Sequence, residues 1–349
     1  MAESGLQVPF LKRMLLKPLL VPGIAGALSA VTDTRATIFM LHRFPVPELG
    51  VAGHDLAALR RNLAYLRKQR YDLISLEEMF RRFREGTPLK RAIAFTIDDG
   101  YFDHARIGGP VFAEFDCPAT TFVTTGFLDG KIWLWWDKLT TIFEGTRRRE
   151  LRARIGGEVK VYRLDPETRA AACVDLQLLC QDASEADRLA CVEELGREAD
   201  VEVPASPPPR FAPLSWDEAR QLEKGGMSFG PHTVTHPVLS SAPDSQAEFE
   251  IVESWKRLSA EVSRPVPVFC YPAGRMGDFG EREISVIRQL GLWGAVIGRP
   301  GRIAPAALRD SGPAPFRVPR FGYLDSLPHL MQCICGLETL KARFREVVA

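Results

Sequence analysis

The residues best suited to chemistry fall in two short motifs. The first is Phe95-Thr96-Ile97-Asp98-Asp99-Gly100. An apolar run over 92–97 ends here in two adjacent carboxylates and a glycine. Two charges do not stay inside a sheet without partners. They therefore belong at the C-terminal end of a strand, where α/β folds place their sites. Alone, the motif reads equally as an ordinary Asp-Gly turn. The second is Gly230-Pro231-His232-Thr233-Val234-Thr235-His236-Pro237. Its histidines stand at i and i+4, so one helical turn would bring both imidazoles to one face. That is ligand spacing for a divalent metal. Pro237 biases His236 away from helix, which keeps the turn short. Alone, two surface histidines would carry the same spacing, although only six histidines occur in the chain.

The two motifs together say more. Asp99 with His232 and His236 makes a two-histidine, one-carboxylate set that leaves positions open for water and substrate. Asp98 then stays free as a base. A metal in such a set lowers the pKa of water and polarises a carbonyl, which equips the site to hydrolyse an amide or ester. A third motif, Phe269-Cys270-Tyr271-Pro272-Ala273-Gly274, ends another apolar run, and its backbone N–H groups could face an oxyanion.

In this order the motifs resemble those of the polysaccharide deacetylase family (carbohydrate esterase family 4, the chitooligosaccharide-deacetylase homology domain). That family carries Thr-Phe-Asp-Asp-Gly, His-Ser/Thr-x-x-His and an Arg-Pro-Pro-Tyr-Gly-like motif. Here they read Thr96-Ile97-Asp98-Asp99-Gly100, His232-Thr233-Val234-Thr235-His236 and Cys270-Tyr271-Pro272-Ala273-Gly274. The resemblance spans roughly residues 35–320. It implies a distorted seven-stranded (β/α) barrel that removes N-acetyl groups from amino sugars. The glycan or glycan precursor is the implied partner, with exopolysaccharide biosynthesis as setting. Asp98 would be the base, and Asp99, His232 and His236 would hold Zn2+ or, in its place, Co2+, Ni2+ or Mn2+. The backbone around Ala273, with Tyr271, Pro272 and Gly274, would form the oxyanion site. Cys270 departs from the family, since many members have there an arginine that orients the base. Arg320, at another expected strand end, is the candidate replacement, with a surface arginine as the alternative. His42, in Met40-Leu41-His42-Arg43, resembles a Tyr-His-Arg segment of one branch and is the candidate general acid. His329 is its rival, while His54 and His104 read as structural or surface residues. Two other functions stay open: hydrolysis of a non-sugar amide on the same fold, and a non-catalytic metal-containing glycan-binding module.

These residues need a scaffold. Apolar runs bounded by turn residues predict strands over 37–41, 72–75, 92–97, 119–124, 227–231, 266–271, 294–297 and 316–319. Helical periodicity predicts helices over 56–69, 216–224 and 248–262, with Ser215 as an N-cap. This alternation argues for an α/β fold with a mostly parallel sheet or barrel. The expected organisation is an N-terminal helical segment over 1–34, a barrel over 35–330 and a C-terminal helix over 331–349. The stretch 149–203, rich in Arg, Glu, Ala and Leu, reads as a helical insertion without strands, and 204–213 as an extended proline-rich return. Trp133, Trp135 and Trp136 read either as packing for that insertion or as faces for sugar rings.

Composition narrows the setting. With 46% hydrophobic and 26% charged residues the chain is ordinary for a globular protein. A net charge of +1 and the lack of a basic run with aromatics argue against nucleic acid. Seven scattered cysteines form no disulfide framework, so reduced thiols in the cytoplasm are expected. Near the N-terminus, Lys12 and Arg13 precede a broken apolar stretch over 14–31. It is too short to span a bilayer and is expected to pack on the domain or touch a membrane surface. Ala25-Gly26-Ala27 leaves secretion open.

Overall fold

The computed structural model describes residues 35–303 and 312–337 of the 349-residue chain. The expected N-terminal segment lies outside them, as does most of the expected C-terminal helix. The strands are β1 (Thr37–Leu41), β2 (Asp72–Leu73), β3 (Ala92–Ile97), β4 (Ala119–Val123), β5 (Glu150–Ile155), β6 (Glu158–Arg163), β7 (Ser228–Pro231), β8 (Val268–Cys270), β9 (Gly294–Ile297), β10 (Val318–Pro319) and β11 (Phe321–Gly322). The principal helices are α1 (Leu56–Lys68), α2 (Leu76–Glu85), α3 (Gly109–Ala113), α4 (Thr125–Leu128), α5 (Trp135–Gly145), α6 (Arg169–Asp182), α7 (Glu185–Glu198), α8 (Trp216–Lys224), α9 (Asp244–Glu261), α10 (Glu281–Gln289) and α11 (Leu327–Ile334). None of the described helices is long and apolar enough to cross a membrane.

One parallel sheet runs in the order β11-β1-β3-β4-β7, with β2 added at the start of β3. A second runs β10-β9-β8. All six residues of β3 are buried, as a parallel strand covered on both faces requires. The two sheets meet at two seams. At one, the backbone passes directly from β10 into β11, so a single run pairs with β9 and then with β1. At the other, the Val266 N–H donates to the Phe229 carbonyl at 2.7 Å. Around the axis β1, β3, β4, β7, β8, β9 and the β10–β11 run make seven staves. This is a distorted (β/α)7 barrel.

The helices behave as their sequences dictate. Asp55 caps α1 by accepting from the Ala57 and Ala58 N–H groups, and Leu59, Leu63 and Leu66 turn inward. Ser215 and Glu218 form a reciprocal capping box at α8. The helix expected over 248–262 begins four residues earlier, at Asp244.

The insertion corrects an expectation. It is not purely helical, because β5 and β6 form an antiparallel hairpin ahead of α6 and α7. The signal was present in the chain. Leu151 and Ala153 alternate with charged residues, and Gly156-Gly157, both at positive φ, make the tight turn. Arg- and Glu-rich composition concealed that alternation. The insertion shares a continuous core with the barrel, in which Trp133, Trp135 and Trp136 are all buried. The tryptophans therefore serve mainly as packing.

Candidate active site

Every chemically interesting residue follows the C-terminal end of a stave. His42 follows β1, Asp98 and Asp99 follow β3, His232 follows β7, Tyr271–Gly274 follow β8, and Arg320 follows β10. With the exception of Pro272 and Gly274 they line one cavity of about 350 Å³.

Asp98 and Asp99 part company at once. Asp98 is buried and meets Arg320 in a bidentate pair, Nη1 to Oδ1 and Nη2 to Oδ2, both 2.7 Å. Arg320 also donates to Thr96 Oγ1 at 3.0 Å and to Cys270 Sγ at 3.2 Å. Burial alone would raise the Asp98 pKa, but the guanidinium outweighs it and holds the carboxyl well below its usual range. Arg320 is 1% exposed, so it is no surface arginine. It supplies from β10 the cation that Cys270 does not. Cys270 stays a neutral thiol, pushed up by burial, 3.6 Å from Asp98 Oδ2.

Asp99 turns the other way, helped by Gly100. Both residues have positive φ, 86° and 95°. Asp99 Oδ1 lies 3.7 Å from His232 Nε2 and 3.6 Å from His236 Nε2. Burial, with Asp98 and Asp137 nearby, pushes the Asp99 carboxyl up to about 6. Burial likewise drives His236 well below the ordinary histidine value. The His232 ring donates from Nδ1 to the Cys270 carbonyl at 2.8 Å, which turns Nε2 toward Asp99. That bond also bridges the β7–β8 seam.

The histidines do not share a helical turn as their spacing suggested. Residues 232–236 form a loop in which Thr233 (φ 66°) and His236 (φ 63°) are left-handed. Such non-glycine conformations cost about 1–3 kcal/mol each and persist only where neighbours enforce them. The enforcer is Glu250 of α9, which the sequence did not single out. Its fully buried carboxylate accepts from the Val234 and Thr235 N–H groups (2.7 and 2.8 Å), from the Thr235 hydroxyl (2.6 Å) and from Gln246. A buried acid eighteen residues after His232 on a helix has no local pattern to mark it.

Among the described residues, two groups of side chains could hold a cation, each with ligand atoms within 4.8 Å of one another: Asp99-His232-His236 and Asp98-His232-Cys270. The first fits. In the second both carboxylate oxygens are taken by Arg320 and the thiol resists ionisation. Ligands at about 2.0–2.2 Å from one ion lie roughly 3–4 Å apart, as the Asp99 and histidine atoms do.

The oxyanion candidates narrow to Ala273. Pro272 has no N–H, the Gly274 N–H bonds to the Pro272 carbonyl, and the Tyr271 N–H points to the Val296 carbonyl. The Ala273 N–H bonds to nothing among the described residues, on left-handed backbone (φ 58°) that packs against Gly298. His42 borders the cavity, and burial pushes its imidazole down to about 3. His329 lies on α11 and borders neither of the cavities at the site. His54 pairs with Asp325 and His104 bonds to the His42 carbonyl, so both are structural.

Residues 185–294 match the family model described as polysaccharide deacetylase. This stretch of the chain is similar to the polysaccharide deacetylases. The matched stretch holds both histidines and the 270–274 loop, and the fold brings Asp98, Asp99 and Arg320 to it from outside. A search of curated proteins finds no match. Among solved structures the chain is similar to the Streptococcus pyogenes deacetylase PplD in complex with acetate, at 17% identity and TM-score 0.55, covering 86% of this chain and 99% of that one. It is also similar to IcaB from Ammonifex degensii, at 15% identity and TM-score 0.51, covering 86% and 97%. A de-N-acetylase from Aggregatibacter actinomycetemcomitans matches at 12% identity and TM-score 0.50, covering 83% and 95%. These likenesses are likenesses of fold. The polysaccharide deacetylase match and the site built here share His232, His236 and the 270–274 loop.

Proposed function

We propose that this chain hydrolyses N-acetyl groups on the amino sugars of a polysaccharide or glycan precursor. Asp98 is the proton acceptor, and Asp99, His232 and His236 are the ligands of one divalent cation, with Zn2+ the best match to the donor set. One observation carries the reading. Arg320 locks Asp98 as a carboxylate while the adjacent Asp99 faces the Nε2 atoms of His232 and His236 in the same cavity. When bound, the cation would acidify water and polarise the acyl carbonyl. The chain's own groups supply the rest. Asp98, kept ionised and aimed by Arg320, takes the proton from the attacking water. The Ala273 N–H stands ready for the developing oxyanion. His42 rests neutral, so it must receive a proton before giving one to the departing amine. Asp98, having taken the proton from water, would give it up toward His42, and the carboxylate restored by that step favours the imidazolium.

The non-catalytic reading rested on the missing arginine, which Arg320 supplies from another stave. The cavity volumes of about 350 and 520 Å³ fall within the range of small-molecule sites, roughly 300–1,000 Å³, so a hexosamine is not too large. The test is direct. The purified full chain should carry about one ion and release acetate from N-acetylglucosamine oligomers, with release lost on chelation. A loaded protein that releases no acetate from any N-acetylated glycan overturns the reading.

A further inference from the structure

The cavity over Asp98 and Asp99 continues into a second lobe of about 520 Å³, with His42, Asp99, Trp136, Val174 and Gln177 bordering both. Helix α5 makes one wall and α6 of the insertion the other. The arginines along this lobe have structural partners. Arg43 pairs with Asp103, Arg169 bonds to the carbonyls of Phe143 and Thr146, and Arg210 pairs with Glu144. Asp137 differs. It is 5% exposed, and its Oδ2 accepts from the Tyr101 hydroxyl at 2.7 Å. Its Oδ1 makes no hydrogen bond among the described residues. The Gln177 amide spends its N–H donors on the Trp136 carbonyl and the Thr140 hydroxyl, and its own carbonyl oxygen meets no donor among the described residues. Two acceptors therefore face the lobe. Asp137 lines the lobe, so its Oδ1 is open to a donor placed there, and burial pushes the Asp137 carboxyl up to about 6. A donor from the lobe would favour the charged carboxylate.

We propose that this lobe holds the sugar unit next to the one being deacetylated, and that Asp137 sets specificity by accepting a hydrogen bond from a hydroxyl or ammonium group of that unit. The proposal rests on the deacetylase reading above. The lobe exists because the insertion folds over the barrel mouth, so this subsite belongs to the insertion as much as to the barrel. A lone monosaccharide fills the first lobe and leaves Asp137 unserved.

The experiment compares kcat/KM for N-acetylglucosamine and its disaccharide, using the zinc-loaded full chain as wild type, Asp137→Ala and Asp137→Asn. The disaccharide-to-monosaccharide ratio should fall about tenfold or more in the alanine variant, the worth of one hydrogen bond to a charged group. Asparagine keeps a carbonyl acceptor. It should restore most of the ratio if the donor is a hydroxyl, and should fail on a disaccharide carrying one free amine if the donor is an ammonium. An unchanged ratio, or equal losses on both sugars, overturns the proposal. If the alanine variant does not fold, Asp137→Leu fills the same volume without an acceptor. If wild type turns over neither sugar, the deacetylase reading fails only when longer N-acetylated glycans release no acetate either. The subsite is then judged by disaccharide binding in calorimetry. About tenfold weaker binding in the variant supports it, and equal binding or none in wild type overturns it.

Discussion

The Arg320 side of the site is complete as it stands, whereas the histidine side is not. Asp98 has a bidentate partner and a hydrogen-bonded surround, on unstrained strand-end backbone. Asp99, Thr233 and His236 sit in left-handed conformations, with a carboxyl pushed up and an imidazole pushed down by burial. One side has already neutralised its charge. The other is a set of buried groups that a cation could satisfy. Adjacent residues on one strand end thus serve opposite electrostatic purposes, and the difference lies in which neighbours the fold turns toward each.

The largest expected effect tests the complete side. Arg320→Met leaves Asp98 buried without a partner and should cost about 3–5 kcal/mol of stability in urea unfolding. A smaller loss than that of chelated His236→Ala would abolish the contrast. Next come the two carboxylates. Asp98→Asn should lower kcat about a thousandfold with the cation retained, while Asp99→Asn should lose the cation by elemental analysis. Retained cation in the second variant would mean a different ligand set. Glu250→Ala should weaken cation affinity about tenfold by freeing the histidine loop, measured by chelator competition. An unaltered affinity would show that the loop holds its shape without α9.

The smallest effect is a difference in sign. In chelated protein the Asp98 value lies below that of an unfolded chain. Its contribution is present above about pH 4 and lost as the pH falls through the folded value. The Asp99 value, about 6, lies above the unfolded one. Its contribution is present below about pH 4 and lost as the pH rises toward 6. From pH 4 to 7 wild type should therefore lose ground to Asp99→Asn by roughly 1–3 kcal/mol, while its margin over Asp98→Asn does not shrink. Parallel slopes for the two variants would merge what the geometry separates.

Much of this was legible in the chain. Asp98, Asp99 and His232 announce themselves because each lies beside a turn or proline that ends an apolar strand, and His236 by its spacing from His232. The barrel staves were visible as buried apolar runs. What was hidden depends on long-range geometry. Arg320 stands far from Cys270 in sequence, and only barrel closure shows that one replaces the other. Glu250 looks like any helical glutamate until α9 packs beneath the histidine loop. The helical turn expected for 232–236 failed because local spacing was read as helix where strain and Glu250 impose a loop. The β5–β6 hairpin was missed because helix-forming residues masked a two-residue alternation.

The run from β10 to β11 gives the molecule an order of assembly. Arg320 and Asp98 are 222 residues apart, and the arginine reaches the aspartate only when the last stave joins β9 to β1. Contacts of such separation carry a high closure entropy and tend to form late. On the proposed assignment, a growing chain that has just released His236 already holds the three cation ligands, while Asp98 still waits for Arg320. Full hydrolytic competence would then arrive only with the final stave.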